Sequence, residues 1–549
     1  DAVNHSVPIR FRQIVQQYPG RTAVKNQNQS ASYLQLDRYA AGISSHIHTI
    51  DPEKNKPVAV CLPHEAKLIA AIMGILYAGK CYLPIDPAYP REWVNHVLDQ
   101  IGSCLMITDT AGIESGLFSG RDNVLILNLD QIEINALSRP ADPVYPGDNA
   151  YIIFTSGTAG KPKGVVHSHR NIMRMVKDYS NAVQITPEDR VSLLSSCSFS
   201  MSVIDIFSAL LNGAGLILYD VRKKGVNQIP LWLKKEKITI YHSVTSLFSR
   251  MTASLSTEWD FPLIRLVKLG GEPVYQKHFQ MFKNYFSSAC RLMNGYGSSE
   301  ILQAAQHILT KDSPLEDNIV PIGYPTPDVD ILILDKNTNP VKTGETGEIH
   351  IRSSYLARRY WGQPQLTMKR FIPDPEDGRK RIFRTGDIGR RDKNGCITHL
   401  GRVDNEVKIR GNLVNTLIIE NVLLNHPLVE EAVVKVVSDE TNENHLAARL
   451  VSRDGILDEN ELRPYLAKLL PTFYIPSRFQ IKDQIPLTNT GKLDRKSAGF
   501  IHILTPGWEK IQAPKNSVHE ICCGSKNWLV ISDDKNFGRR FADKLLKDG

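Results

Sequence analysis

Short apolar runs alternate with amphipathic stretches along most of the chain. TAVK (22–25) precedes an amphipathic stretch over 33–47, and VAVCL (58–62) precedes another over 65–78 that stops at Gly79. CYLPID (81–86), LMIT (105–108), VLIL (124–127) and YIIF (151–154) continue the series. Brief runs with no polar alternation predict strands buried on both faces, and the stretches between them predict crossover helices. That order implies a largely parallel, doubly wound sheet. From Asn171 to about Asp330 the pattern repeats. Strands are predicted at 190–194, 215–219, 238–241, 263–269 and 291–294, with helices after Asn171 and over 204–211. A second parallel sheet is expected.

From about 321 the texture changes to short strands and turns at 330–334, 347–351 and 397–400, which predict a small β barrel or antiparallel sheet. An α+β segment follows GRVD (401–404) and runs to about 496, with Pro471 and Pro476 marking a rigid turn. Pro506, Gly507 and Pro514 read as a linker. Beyond it, WLVISD (528–533) feeds an amphipathic stretch over 537–546, a βα unit with nothing to pair against. The fold class expected is α/β: a large N-terminal domain of two doubly wound sheets plus the small barrel, then a small α+β domain.

Composition narrows the function classes. At 549 residues the chain exceeds one compact core, and 42% hydrophobic with 23% charged residues is ordinary for a globular protein. The formal charge of +8 is spread without a block of like charges, so neither nucleic acid nor a membrane surface is expected as a partner. A mild positive balance suits a small polyanion. Eight scattered cysteines lack any CxxC pair and read as reduced thiols. No apolar run reaches membrane-spanning length, so a cytoplasmic protein is expected.

Chemistry concentrates in TSGTAGKPKG (155–164). Glycines let backbone N–H groups approach a ligand, the hydroxyls of Thr155, Ser156 and Thr158 add donors, and Lys161 and Lys163 neutralise oxyanions. This is the chemistry of a triphosphate cradle, although alone it also reads as a Gly-rich surface turn. It is not a Walker loop: the glycine spacing is too short, and Pro162 stands where a magnesium-binding hydroxyl should be. NGYGSSE (294–300) adds an aromatic ring, hydroxyls and a carboxylate in one turn. Tyr296 could stack on a base, Ser299 could bond a phosphate, and Glu300 could hold magnesium. Asp387 ends a short strand as ribose-gripping carboxylates do, unless it and Arg402 form a structural ion pair. Lys492 stands on a tight turn.

Eight segments occur in one order: LYAGKCYLPIDPAYP (76–90), TSGTAGKPKGVVHSH (155–169), NGYGSSE (294–300), GEIHI (347–351), FRTGDIG (383–389), GRVDNEVKIRG (401–411), LPTFYIP (470–476) and LTNTGKLDR (487–495). Together, over about residues 8 to 497, they resemble the adenylate-forming superfamily, most closely adenylation domains of nonribosomal peptide synthetases. The resemblance implies ATP and Mg2+ as cofactors. Thr155, Ser156, Gly157, Thr158 and Lys163 would cradle phosphates and Glu300 would hold magnesium. Asn294 and Tyr296 would meet adenine, Ser299 would line the site, and Asp387 with Arg402 would fix the ribose. Lys492 would reach the substrate carboxylate and the α-phosphate, on a lid (406–498) that swings about Asp404 in a hinge (401–405) after a core domain (1–400). The second lid orientation would admit the phosphopantetheine thiol of a carrier protein, the acyl acceptor. LVNT (413–416) departs from the usual family stretch here, which weakens the thiolation half of the resemblance.

The resemblance also places an acid pocket at Ser200, Met201, Ile204, Thr245, Val267, Leu269, Gly295, Gln303 and Ala304. Ser200 stands where amino-acid-activating relatives carry an aspartate for the α-ammonium, unless Asp205 serves instead. Without that carboxylate a free α-amino acid is disfavoured, because an unpaired buried ammonium costs about 3–5 kcal/mol. An α-keto acid with a modest branched aliphatic side chain is expected. The alternatives are an α-hydroxy, aryl or fatty acid in a loading module or acyl-CoA ligase. The tail (499–549) resembles the opening of a ketoreductase's structural half without GxGxxG, so a downstream ketoreductase domain is an expected partner.

Overall fold

The first run of predicted strands forms a seven-stranded sheet in the order Arg359–Tyr360, Pro162–Ser168, Asn149–Ser156, Cys81–Pro84, Pro57–Val60, Cys104–Thr108 and Val124–Asn128. Its last five strands pair in parallel, whereas Asn149–Ser156 and Pro162–Ser168 run antiparallel on either side of the Gly-rich loop. The structure is a computed structural model. It describes residues 2–54, 56–133, 143–156, 162–256, 258–315, 317–403, 406–409, 412–438, 444–453, 457–470, 474–486 and 493. The chain divides into one unit from Asp1 to Phe500 and another from Ile501 to Gly549, and the βα unit expected in the tail lies outside the described residues.

The second sheet has nine strands, in the order Tyr324–Pro325, Ala305–Leu309, Arg291–Tyr296, Leu266–Gly270, Ile240–Ser243, Arg190–Leu193, Gly215–Leu218, Thr22–Lys25 and Ser30–Ser32. Its centre is parallel and both ends turn antiparallel. One expectation changes. Thr22–Lys25 stands first in the first run along the chain, yet it pairs in parallel with Gly215–Leu218 of the second sheet. Chain order therefore does not assign a strand to its sheet.

Side chains alternate across each strand, so each sheet feeds two cores. Val58 and Val60 join Leu216, Leu218 and Leu266 in a core shared by both sheets and the helices between them, including His169–Val183 and Ser200–Leu210. Ala59 and Cys61 pack on the opposite face of the first sheet, and Ile217, Val267 and Leu269 on the opposite face of the second. Helix His169–Val183 begins where Ser168 and Asn171 bond each other's backbone N–H, satisfying groups a helix start leaves open. That cap fixes the direction in which the helix carries Arg174 and Tyr179 over the second sheet.

Asp330–Leu334, Thr346–Ser353, Phe371–Pro373, Arg381–Arg391 and Ile397–Arg402 form a five-stranded antiparallel sheet with its own core around Ile349, Ile351 and Phe383. The C-terminal α+β segment follows. Strands Val429–Ser438, Asn444–Ser452 and Arg478–Lys482 pack on helices Thr416–Leu424 and Glu459–Leu469. No described helix is long and apolar enough to cross a membrane.

Candidate active site

Lys163, on strand Pro162–Ser168, and the turn after Arg291–Tyr296 come together. Thr155, half-buried, pairs in register with Lys163, and Ser156 ends its strand opposite Pro162. Lys163 Nζ donates to Glu300 Oε1 at 2.7 Å and to the Tyr360 hydroxyl at 3.2 Å. Tyr360 in turn donates to the same carboxylate oxygen at 2.8 Å. Burial alone would raise Glu300, but the Lys163 charge and hydrogen bond, with those of Tyr360 and Ser298, outweigh it and hold the carboxyl below its usual range. A buried anion thus faces a loop lysine, two groups able to take up a magnesium–phosphate unit. Gly157 and Thr158 lie outside the described residues.

A second cluster stands beside it. Tyr296 donates its hydroxyl to Asp387 Oδ2 at 2.6 Å, and Arg402 Nη1 meets Asp387 Oδ1 at 2.7 Å. His399 Nε2 lies 3.8 Å from that oxygen. Burial pushes Asp387 up, yet the neighbouring His399, the Arg402 charge and the Tyr296 hydroxyl leave it below the ordinary aspartate value. These residues line a cleft of about 910 Å³ that also touches Glu420, Glu431 and Leu493 of the C-terminal segment. Asn294 reaches the same cleft, but its side-chain amide donates to the Val320 and Pro321 carbonyls at 3.0 Å each. Lys492 and Asp404 lie outside the described residues.

A narrower cavity of about 90 Å³ shares Gly271, Gly295, Tyr296 and Gly297 with the cleft. Ser200, Met201, Ile204, Gly295 and Gln303 line it, as the acid pocket was expected to be lined. Ser299 Oγ stands 3.5 Å from Ser200 Oγ at its mouth. Four expected pocket residues lie elsewhere. Thr245 lines the large cleft, Val267 and Leu269 pack in the core on the far face of the sheet, and Ala304 packs against the antiparallel domain. The reason for the strand residues is the two-residue period: Lys268 faces the cavity, so its neighbours cannot.

Asp205, the alternative grip for an α-ammonium, is fully buried, bonds His242 Nδ1 and does not line the cavity. Sequence reading also missed Lys268, although a charged residue inside LVKLG (266–270) was a visible signal of a buried polar role. Tyr360 and His399 carried no such signal. Among the described residues no three His, Cys, Asp or Glu side chains group as a metal cage. Glu300, a buried carboxylate facing Lys163, is the type of oxygen donor that can hold a magnesium ion together with substrate phosphates.

Comparison with known proteins identifies the family. The AMP-binding enzyme family matches residues 11–361, and the AMP-binding enzyme C-terminal domain matches 418–492. The chain is similar to gramicidin S synthase 2 of Brevibacillus brevis, 32% identical over 490 residues, covering 89% of this chain and 11% of that protein. It thus spans about a tenth of the length of that relative. In structure it resembles holo-AB3403, a four-domain nonribosomal peptide synthetase bound to AMP and glycine. The TM-score is 0.79 at 26% identity, over 93% of this chain and 37% of that one. It also resembles Klebsiella oxytoca NpsA in complex with 3-hydroxyanthranilyl-AMSN, with a TM-score of 0.78 at 25% identity over 90% and 98% of the two chains. Because the first family match alone takes in more than half of the residues, the chain belongs to the AMP-binding enzymes, the adenylate-forming ligases.

Proposed function

We propose that the chain activates an α-keto acid as its acyl-adenylate within a nonribosomal synthetase and passes the acyl group to a carrier-protein phosphopantetheine thiol. The observation that carries the choice of acid is the charge of the small cavity. None of its lining residues is acidic, Ser200 occupies the start of its helix, and Asp205 is engaged by His242. An α-ammonium would find no carboxylate there and would share the cavity with the Lys268 amine. The other lining groups are mostly apolar, among them Met201, Ile204 and Leu302, and suit a modest branched aliphatic side chain.

In the reaction an oxygen of the acid attacks the α-phosphorus of ATP and pyrophosphate leaves. Two anions must meet, so the protein's work is neutralisation and positioning. Lys163 and Glu300 would face the leaving phosphates, with Glu300 holding magnesium. Tyr296, Asp387 and Arg402 would hold the nucleoside, and Lys492 would bridge the carboxylate and the α-phosphate. A ketoreductase domain of the same synthetase would then reduce the bound keto group to a hydroxyl, taking the hydride from its own nicotinamide cofactor and a proton from solvent.

Substrate-dependent pyrophosphate exchange across keto, hydroxy and amino acids of one side chain tests this reading. Exchange is expected with the keto acid, and exchange with the amino acid alone would overturn it. Lys492→Ala should abolish exchange while ATP still binds. Adenylate formation at the normal rate would remove Lys492 from the mechanism.

A further inference from the structure

Lys268 is an unusual wall for an acid pocket. It comes from the middle of strand Leu266–Gly270, is 4% exposed, and lies on the face that the two large sheets share. Its Nζ donates to Gln303 Oε1 at 2.8 Å and stands 4.3 Å from the centre of the Tyr179 ring. The Gln303 carboxamide cannot turn freely, because its nitrogen donates to Gln306 Oε1 at 2.6 Å. Gly295 leaves the approach to Lys268 open: a Cβ there would stand 3.1 Å from Lys268 Cε. Among the described residues no carboxylate lies within ion-pair distance of Lys268; Asp205 bonds His242, which also meets the Tyr179 hydroxyl.

An ammonium carries three donors. Gln303 takes one and the ring face of Tyr179 attracts the charge, which leaves donor capacity beside a cavity that must hold the acid. A buried cation held without a carboxylate is costly unless something accepts from it. Burial indeed pushes Lys268 down to about 7, against the opposing pull of Asp205. The titratable groups around it are Asp205, His242 and Tyr179. Arg174, on the helix above, is turned to Asp178 and the Gln303 carbonyl.

We propose that Lys268, oriented by Gln303, selects the acid by donating a hydrogen bond to an oxygen that the substrate carries apart from its reacting carboxylate. This rests on the acid-activating reading above and deepens it: the accepted acids bear an oxygen acceptor, either the α-keto oxygen or one farther along the side chain. A purely hydrocarbon acid would leave the amine unsatisfied and is rejected for that reason, as sites built around a hydrogen bond reject partners that lack it.

The test is pyrophosphate exchange with three acids of similar length: a saturated branched acid, its α-keto counterpart, and one ending in a carboxamide. Each is measured with the wild type and Lys268→Met. The wild type is expected to favour an oxygen-bearing acid in kcat/KM by about ten- to a hundredfold, the scale of a charge-assisted hydrogen bond. Whether the α-keto or the carboxamide acid gains identifies which oxygen is read. Lys268→Met should bring the ratio near one by raising KM for the favoured acid, with the saturated acid unchanged or improved. An equal loss for all three acids, or a wild type indifferent to the oxygen, would overturn the proposal.

If Lys268→Met does not fold, the wild type alone decides. Its preference should weaken as pH rises through about 7, where Lys268 loses its proton, with little change for the saturated acid. A pH-independent preference would equally overturn it. Should amino acids alone support exchange, the α-keto reading fails separately, and the same comparison is made between amino acids with aliphatic and carboxamide-ending side chains.

Discussion

Glu300 and Asp189 are both buried carboxylates held ionised by a basic partner, but they do different work. Glu300 shares its oxygen with Lys163 and Tyr360. Glu300→Gln should lower pyrophosphate exchange by about a hundredfold, the scale of losing one preorganised charge contact, with the far-UV spectrum unchanged. Retained activity would make the Lys163–Glu300 pair a structural one. Asp189 accepts from both Arg265 Nε and Nη2, from Thr239 and from the Thr186 backbone, far from the cleft. Burial would raise its pKa, but these bonds and the Arg265 charge hold it below the normal value. A depressed carboxylate contributes stability above its unfolded pKa of about 4, and that contribution is lost as pH falls through the lower folded value. Asp189→Asn should therefore cost about 1–3 kcal/mol in urea unfolding at neutral pH. The gap should close in acid, while exchange activity measured on folded protein persists. Glu300, Asp387 and the loop residues stood out in the sequence because each lies in a Gly-containing motif with hydroxyl or charged residues close by. Lys268 was legible in principle but was passed over for the apolar residues on either side of it.

At the scale of elements, the turn between strand Arg291–Tyr296 and Glu300 lies where the large cleft and the small cavity meet, the spaces proposed for nucleotide and acid. A Cβ on Gly297 would fall 1.9 Å from the Leu302 carbonyl oxygen, a backbone atom that cannot give way without moving the turn. Leu302 itself has φ of 66°, in the left-handed region, so this turn is already constrained. Gly297→Ala should abolish adenylate formation and weaken acid and nucleotide binding together, measured by exchange and calorimetry. Loss of only one of the two would place the turn in one space rather than at their junction. Element types were legible from short apolar runs and amphipathic stretches. Facing was not: a run such as LVKL (266–269), buried on both sides, has no polar alternation to say which residues face a cavity.

At the scale of the whole unit, described polar contacts that join the C-terminal segment to the large domain include the following. Arg250 donates to Glu431 Oε1 at 2.9 Å and to the Ile485 carbonyl at 3.0 Å; Lys277 donates to the Glu430 carbonyl at 3.0 Å. Asn318 and Asn421 are joined at 2.6 Å. Arg250→Ala should raise amide exchange across Val429–Ser438 and Asn444–Ser452 by about tenfold, the equivalent of about 1.4 kcal/mol, without altering the cores of the two large sheets. Unchanged exchange would show that Arg250 does not hold the segment.

The sequence by itself determined the α/β class, the order of the elements and the family, because burial periodicity and a dense set of ordered motifs are local properties of the chain. Tertiary structure decided which sheet receives Thr22–Lys25, because that depends on a partner strand almost two hundred residues away. It also decided what lines the small cavity. Lys268 enters it while Val267 and Leu269 turn away, since one face of their strand meets the helices carrying Asp205 and Tyr179 and the other meets an apolar core. The absent charge at Ser200 was readable in the sequence. The amine that stands in the same cavity became visible only once the strand had been folded against its neighbours.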